Sequence, residues 1–97
     1  MFCRWECQNS ITSNSKNPET ISLTATKNGW CCAKGFSYWD QTFISINGND
    51  TFFYQTVGDS DGKISFFNSF PIKEGDTVSI KKPNNPQERQ YGIYFYV

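Results

Sequence analysis

Ninety-seven residues with nine basic and nine acidic side chains leave room for one hydrophobic core and supply no basic field for a phosphate backbone, so no nucleic-acid partner is expected. Histidine is absent, which removes the commonest general base and the commonest zinc ligand together. Aromatic residues reach 18% against a single methionine, so the core must be built from stiff rings, and a mean hydropathy of −0.57 marks a soluble chain.

The chain starts Met1-Phe2-Cys3-Arg4-Trp5-Glu6-Cys7, with no apolar run of signal-peptide length, and no later window is apolar enough to cross a bilayer. The expectation is a cytosolic product or a mature domain cut from something longer, without membrane insertion. No stretch sustains helical periodicity for ten residues, whereas period-two alternation recurs. A first strand is predicted over 2–7, followed by a long polar loop over 8–19. Ile21, Leu23 and Ala25 then alternate with Thr20, Ser22, Thr24 and Thr26, giving a strand over 20–26.

Asn28-Gly29 turns the chain into a strand over 30–38. Asn47-Gly48-Asn49-Asp50 joins strands over 42–47 and 51–57 as a hairpin. The run Gly58-Asp59-Ser60-Asp61-Gly62 leads to a strand over 63–69, Gly75-Asp76 to one over 76–82, and Pro83-Asn84-Asn85-Pro86 to the last, over 91–97. Gly29, Gly48 and Gly75 sit at reversals that favour positive φ. Tyr91, Ile93, Phe95 and Val97 share one face of the last strand and leave Tyr94 and Tyr96 on the other. Eight short antiparallel strands spaced by turns predict an all-β fold, a jelly-roll-like β-sandwich or barrel occupying residues 1–97 as a single domain.

The residues that could carry chemistry are few. Four cysteines fall in two clusters, Cys3 with Cys7 and Cys31 with Cys32, and adjacent residues on a strand point to opposite faces. If oxidised, one N-terminal cysteine would pair with Cys31 or Cys32; otherwise all four are free thiols acting as small hydrophobes. C-x3-C followed by CC lacks the paired knuckles of a zinc site, so no metal is expected. Asp59-Ser60-Asp61-Gly62 is a fragment of a calcium loop without its distal glutamate, and reads as a solvated turn. The carboxylates sit mostly in turns, where solvent holds them near their ordinary pKa, and no histidine activates a cysteine. Neither enzymatic activity nor a cofactor is expected.

The aromatics are the better lead. Alternation sends Phe66 and Phe95 inward and leaves Phe67, Tyr94 and Tyr96 on an outer face, where an apolar patch calls for a partner. Tyr38, Trp39 and Asp40 set flat rings beside a carboxylate, a combination suited to a glycan. Trp30 is expected in the core, as tryptophans are mostly buried.

The order of turns adds a resemblance. Ala25-Thr26-Lys27-Asn28-Gly29-Trp30, then Ile44-Ser45-Ile46-Asn47-Gly48, then Phe70-Pro71-Ile72-Lys73-Glu74-Gly75-Asp76-Thr77-Val78, then the closing Tyr94-Phe95-Tyr96-Val97 resembles the jelly-roll heads at the tips of phage tail fibres. C1q- and TNF-type jelly rolls share some of the same punctuation. The resemblance covers roughly residues 20–97 and rests on turns rather than on catalytic groups. It implies a virion surface domain or small decoration protein, assembled as a homotrimer through Phe67, Tyr94 and Tyr96. The partner would be a host-surface glycan, met by Tyr38, Trp39 and Asp40, or a neighbouring virion protein. The other reading is a secreted β-sandwich stapled by disulfides, acting as an adhesin or protein-interaction module.

Overall fold

The computed structural model describes residues 6–14, 19–38, 41–55, 63–82 and 90–97. Among them run eight strands: β1 (Cys7–Ser13), β2 (Glu19–Thr24), β3 (Gly29–Tyr38), β4 (Gln41–Ile46), β5 (Asn49–Gln55), β6 (Lys63–Ile72), β7 (Thr77–Lys82) and β8 (Gln90–Tyr96). They form two four-stranded antiparallel sheets, ordered β1-β8-β3-β6 and β2-β7-β4-β5.

The pairs β4–β5, β3–β6, β2–β7 and β1–β8 nest around one reversal at Asn47-Gly48. The chain is thus a single long hairpin wound into a sandwich, and every connection except β4–β5 passes from one sheet to the other. That winding is the eight-stranded jelly roll. The innermost turn carries positive φ at both central residues, 53° at Asn47 and 82° at Gly48, as a two-residue hairpin of matching twist requires.

Alternation decides what the sheets enclose. Ile21, Leu23, Ile44, Val78 and Ile80 from one sheet meet Cys31, Ala33, Phe66, Tyr91, Ile93 and Phe95 from the other. Phe95, Ile44, Ile80, Ile93, Val78 and Cys31 are the largest side chains sealed from solvent. Branched and aromatic residues on pleated strands fill such a layer at crystal-like density.

The turns of one end are tied together by side chains. Asn47 donates from Nδ2 to Asp76 Oδ1 at 2.9 Å and accepts the Thr77 N–H at Oδ1 at 2.8 Å. The Lys73 N–H reaches the second Asp76 oxygen at 3.1 Å, and Asn28 Oδ1 accepts the Glu74 N–H at 2.9 Å. The bond from Asn47, followed by that from the Lys73 backbone, holds the Asp76 carboxyl below its usual pKa.

Three expectations are corrected. The stretch over 8–19 is not a polar loop throughout, because β1 occupies Cys7–Ser13 and pairs with β8 along its length. An edge strand needs few apolar residues: Ile11 alone packs inward, while Gln8, Ser10 and Thr12 face water. The strand expected over 2–7 meets β1 only at its last position, and residues 2–5 lie outside the described residues. Gly29 serves a close approach rather than a reversal, since a Cβ there would sit 2.2 Å from the Tyr96 carbonyl oxygen. The remaining strand boundaries agree with the alternation to within three residues. The turns at 58–62 and 83–86 lie outside the described residues.

Candidate functional site

Pleating sends Cys31 and Ala33 of β3 into the core, and so turns Trp30, Cys32 and Lys34 to the outer face of the β1-β8-β3-β6 sheet. Register then builds rows across the sheet. Trp30 stands between Tyr96 and Pro71, Cys32 between Tyr94 and Ser69, and Lys34 between Gly92 and Phe67. On the far side of β8, Cys7, Ser10 and Thr12 extend the same rows. Pro71 is tolerated because β6 is an edge strand.

This face is aromatic. Phe67 is 65% exposed and Trp30 38%, the two exposed large hydrophobic side chains among the described residues. The Trp30 indole N–H donates to Ser69 Oγ, which ties that ring across β3 and β6. Tyr94 and Tyr96 are half-buried. The Lys34 ammonium lies over the Tyr94 ring, 5.0 Å from its centre, a cation–π contact. Tyr94 in turn leans over Gly92, where an added Cβ would lie 3.0 Å from its hydroxyl and 2.9 Å from the Thr12 methyl. Gly92 therefore makes the space into which Tyr94 folds.

Two shallow depressions flank Lys34. One, of 420 Å³, is lined by Trp30, Cys32, Lys34, Phe67, Ser69 and Tyr96. The other, of 320 Å³, shares Lys34 and Phe67 and adds Thr12, Phe36, Gly92 and Tyr94 among its walls. Burial pushes the Tyr96 phenol above its ordinary pKa, and the neighbouring Cys7 and Cys32 thiols add to the rise, so its hydroxyl stays a donor.

Cys7, Cys31 and Cys32 are free thiols. A bond from Cys7 to Cys31 or Cys32 is ruled out by sheet order, because β8 runs between β1 and β3. Two strand spacings are about 9–10 Å, beyond the roughly 7 Å that a disulfide spans between Cα atoms. Cys31 points into the core, where burial and the adjacent Cys32 push its thiol up to about 12. Cys3 lies outside the described residues. No group of three metal-ligating side chains gathers among the described residues.

Phe67, Tyr94 and Tyr96, singled out from alternation, thus share one face with Trp30, which is not a core residue as expected. Its neighbours in sequence gave the signal: Cys31 and Ala33 are small and apolar, and their phase puts Trp30 outside. Lys34, a polar neighbour of these rings in the sequence, is not legible there as a site residue, because a lone lysine on a strand reads as a solvated side chain. Tyr38 closes β3, while its side chain, Trp39 and Asp40 lie outside the described residues.

No protein-family model matches the sequence, and neither does any curated protein. Solved structures with a similar fold exist. GITRL from pika is 16% identical over 76% of this chain and 71% of its own, with a TM-score of 0.55. GITRL from rabbit is 12% identical over 84% and 78%, with a TM-score of 0.58. A family 35 carbohydrate-binding module from Clostridium thermocellum is 10% identical over 92% and 90%, with a TM-score of 0.47. The GITRL likenesses, both above one half, agree with the strand order read from the pairing: this chain is a jelly-roll β-sandwich.

Proposed function

We propose that this chain is a non-enzymatic binding domain that assembles as a homotrimer through the outer face of the β1-β8-β3-β6 sheet. Its setting is the surface of a virion, as a tail-fibre head or small decoration protein. The observation that carries the reading is the exposure of Phe67 and Trp30 beside Tyr94 and Tyr96 on one face of the sheet. Rings left in water are stabilised by about 25 cal/mol for each Å² they bury, and three copies around an axis would cover the same face in each.

The glycan contact is assigned to Tyr38, Trp39 and Asp40. Tyr38 closes β3 at the end of the sandwich where β1, β5 and β7 finish and β2, β4, β6 and β8 begin. A ligand there would meet the assembly without competing for the aromatic face. The free thiols of Cys7, Cys31 and Cys32 favour this reading over a secreted module stapled by disulfides.

Sedimentation at micromolar concentration tests the assembly. The wild type is expected at three times 11.2 kDa, and the variant carrying both Phe67→Ser and Tyr94→Ser at the mass of one chain with its circular dichroism unchanged. A wild type that stays monomeric would sink the proposal. A glycan array probed with the purified protein tests the ligand class, with Trp39→Ala as the control that should lose any signal.

A further inference from the structure

Lys34 is the one charged residue in the rows Trp30–Tyr96–Pro71, Cys32–Tyr94–Ser69 and Lys34–Gly92–Phe67. Its contact within the described chain is the Tyr94 ring. A cation–π contact at an exposed site is weak, well short of what an ammonium loses when water is removed from around it. As long as the face is wet, nothing is missing. Once the face closes, Lys34 needs a negative charge.

Other copies do not supply it from the described residues. Glu6 and Glu74 are carboxylates without a side-chain partner there, whereas Asp50 is engaged by Ser45, Asp76 by Asn47, and Glu19 by Ser13 and Tyr91. Glu6 lies beside Val97, and Glu74 follows the end of β6 opposite Gly29. Lys34 sits five residues along β3 from Gly29, which at a strand's rise is about 17 Å away. In copies standing parallel around an axis, every Lys34 lies at one height and every Glu6 and Glu74 at another. A face-to-face pair fares no better, for it would set lysine-bearing faces against each other with no carboxylate of the described residues between; Asp40, Asp59, Asp61 and Glu88 lie outside the described residues.

The walls around Lys34 are suited to an oxyanion. Among the described residues no carboxylate lines either depression. Hydroxyls of Ser69 and Tyr96 line one, and those of Thr12 and Tyr94 the other.

We infer that the assembled protein binds an oxyanion, a phosphate, sulfate or carboxylate, at Lys34, and that this anion is part of the closed interface. The inference rests on the trimer reading and specifies the chemistry that reading leaves unpaired. The anion and the contact are then linked: each strengthens the other by the same factor.

Sedimentation equilibrium of the full chain measures that factor, with inorganic phosphate replaced stepwise by chloride at constant ionic strength. The subunit dissociation constant of the wild type should fall by about tenfold as phosphate rises, a typical coupling. Lys34→Met, which removes the charge while keeping the apolar stem, should assemble without phosphate as tightly as the wild type does with it, and should ignore phosphate altogether. Lys34→Gln should likewise be indifferent to the anion. A wild-type trimer unaffected by phosphate overturns the anion site and leaves the assembly standing. An equal response in Lys34→Met shows a general salt effect and also overturns it. A monomer under all conditions overturns both readings. Repeating the titration with N-acetylneuraminate in place of phosphate distinguishes a sugar carboxylate from an inorganic ion as the source.

Discussion

The two sheets bury the same kinds of residue and show water opposite surfaces. Outside the β2-β7-β4-β5 sheet stands a ladder of hydroxyls: Ser22 and Ser79 share a hydrogen bond at 2.8 Å, Thr24 and Thr77 another at 2.8 Å, and Ser45 donates to Asp50 at 2.7 Å. Outside the β1-β8-β3-β6 sheet stand Trp30, Phe67, Tyr94 and Tyr96. Both inner faces are determined by the need to fill a core, so they carry no information about partners. The outer faces are free to differ, and the one that departs from a solvated surface is the one on which the proposed contact rests.

The largest effects come from undercutting either face. Phe95 is 1% exposed beneath the aromatic sheet, and Ile80 is fully sealed beneath the hydroxyl sheet. Phe95→Ala should cost about 3–5 kcal/mol and Ile80→Ala about 2–5 kcal/mol of unfolding free energy in urea. The two variants should part in assembly. Phe95→Ala loosens the strand that carries Tyr94 and Tyr96 and so should weaken the trimer as well, whereas Ile80→Ala should leave the subunit contact intact at a concentration where the chain stays folded. Equal loss of assembly in both would mean that the two faces are not functionally distinct.

Thiol labelling sharpens the comparison between edge, face and core. Cys7 is exposed on the edge, Cys32 is nearly covered on the aromatic face, and Cys31 is sealed in the core. Labelling at neutral pH followed by peptide mapping should modify Cys7 in the native protein and reach Cys31 only through unfolding, slower by orders of magnitude. The shifted thiol also predicts alkaline behaviour. Above 9.0 the unfolded chain gives up a proton that native Cys31 keeps, so stability should decline as pH rises from 9.0 towards about 12. Cys31→Ala should flatten that decline.

A smaller effect is expected at the clamped end. Asn47→Asp would replace the Nδ2 donor by a carboxylate oxygen 2.9 Å from Asp76 Oδ1. The lost bond should lower stability at neutral pH, and the cost should shrink as the solution is acidified and one carboxyl takes up a proton. In the wild type the sign runs the other way. The folded state holds Asp76 below its ordinary 3.8, so its contribution is present above that value and is lost as pH falls through the lowered one. Denaturation midpoints of both proteins across the acid range would show the two slopes opposed.

Much of this was legible beforehand, and the failures have physical causes. Alternation in Ile21-Ser22-Leu23, Val78-Ser79-Ile80 and Tyr91 to Val97 identified inner faces because one-sided burial imposes a period of two. The hairpin at Asn47-Gly48 was legible because few residues accept positive φ. β1 was missed because backbone bonds to β8 hold it with Ile11 as its inward anchor, and a pairing partner 80-odd residues away leaves no local trace. The part played by Lys34 was not legible for a related reason. Its setting consists of Tyr94 and Gly92 on one neighbour strand and Phe67 on the other, and only register brings them together.

The hydroxyl ladder should yield the smallest response, and that makes it the control for the whole comparison. Cross-strand hydroxyl pairs contribute about 0.2–1 kcal/mol relative to alanine pairs. Ser22→Ala combined with Ser79→Ala should therefore lower the urea midpoint slightly. Assembly measured on the same samples should not change, because these two hydroxyls bond each other on the sheet opposite the aromatic face. If this pair of substitutions dissociated the trimer, the contact would involve the polar face. The rings of Trp30 and Phe67 would then need another explanation for their exposure.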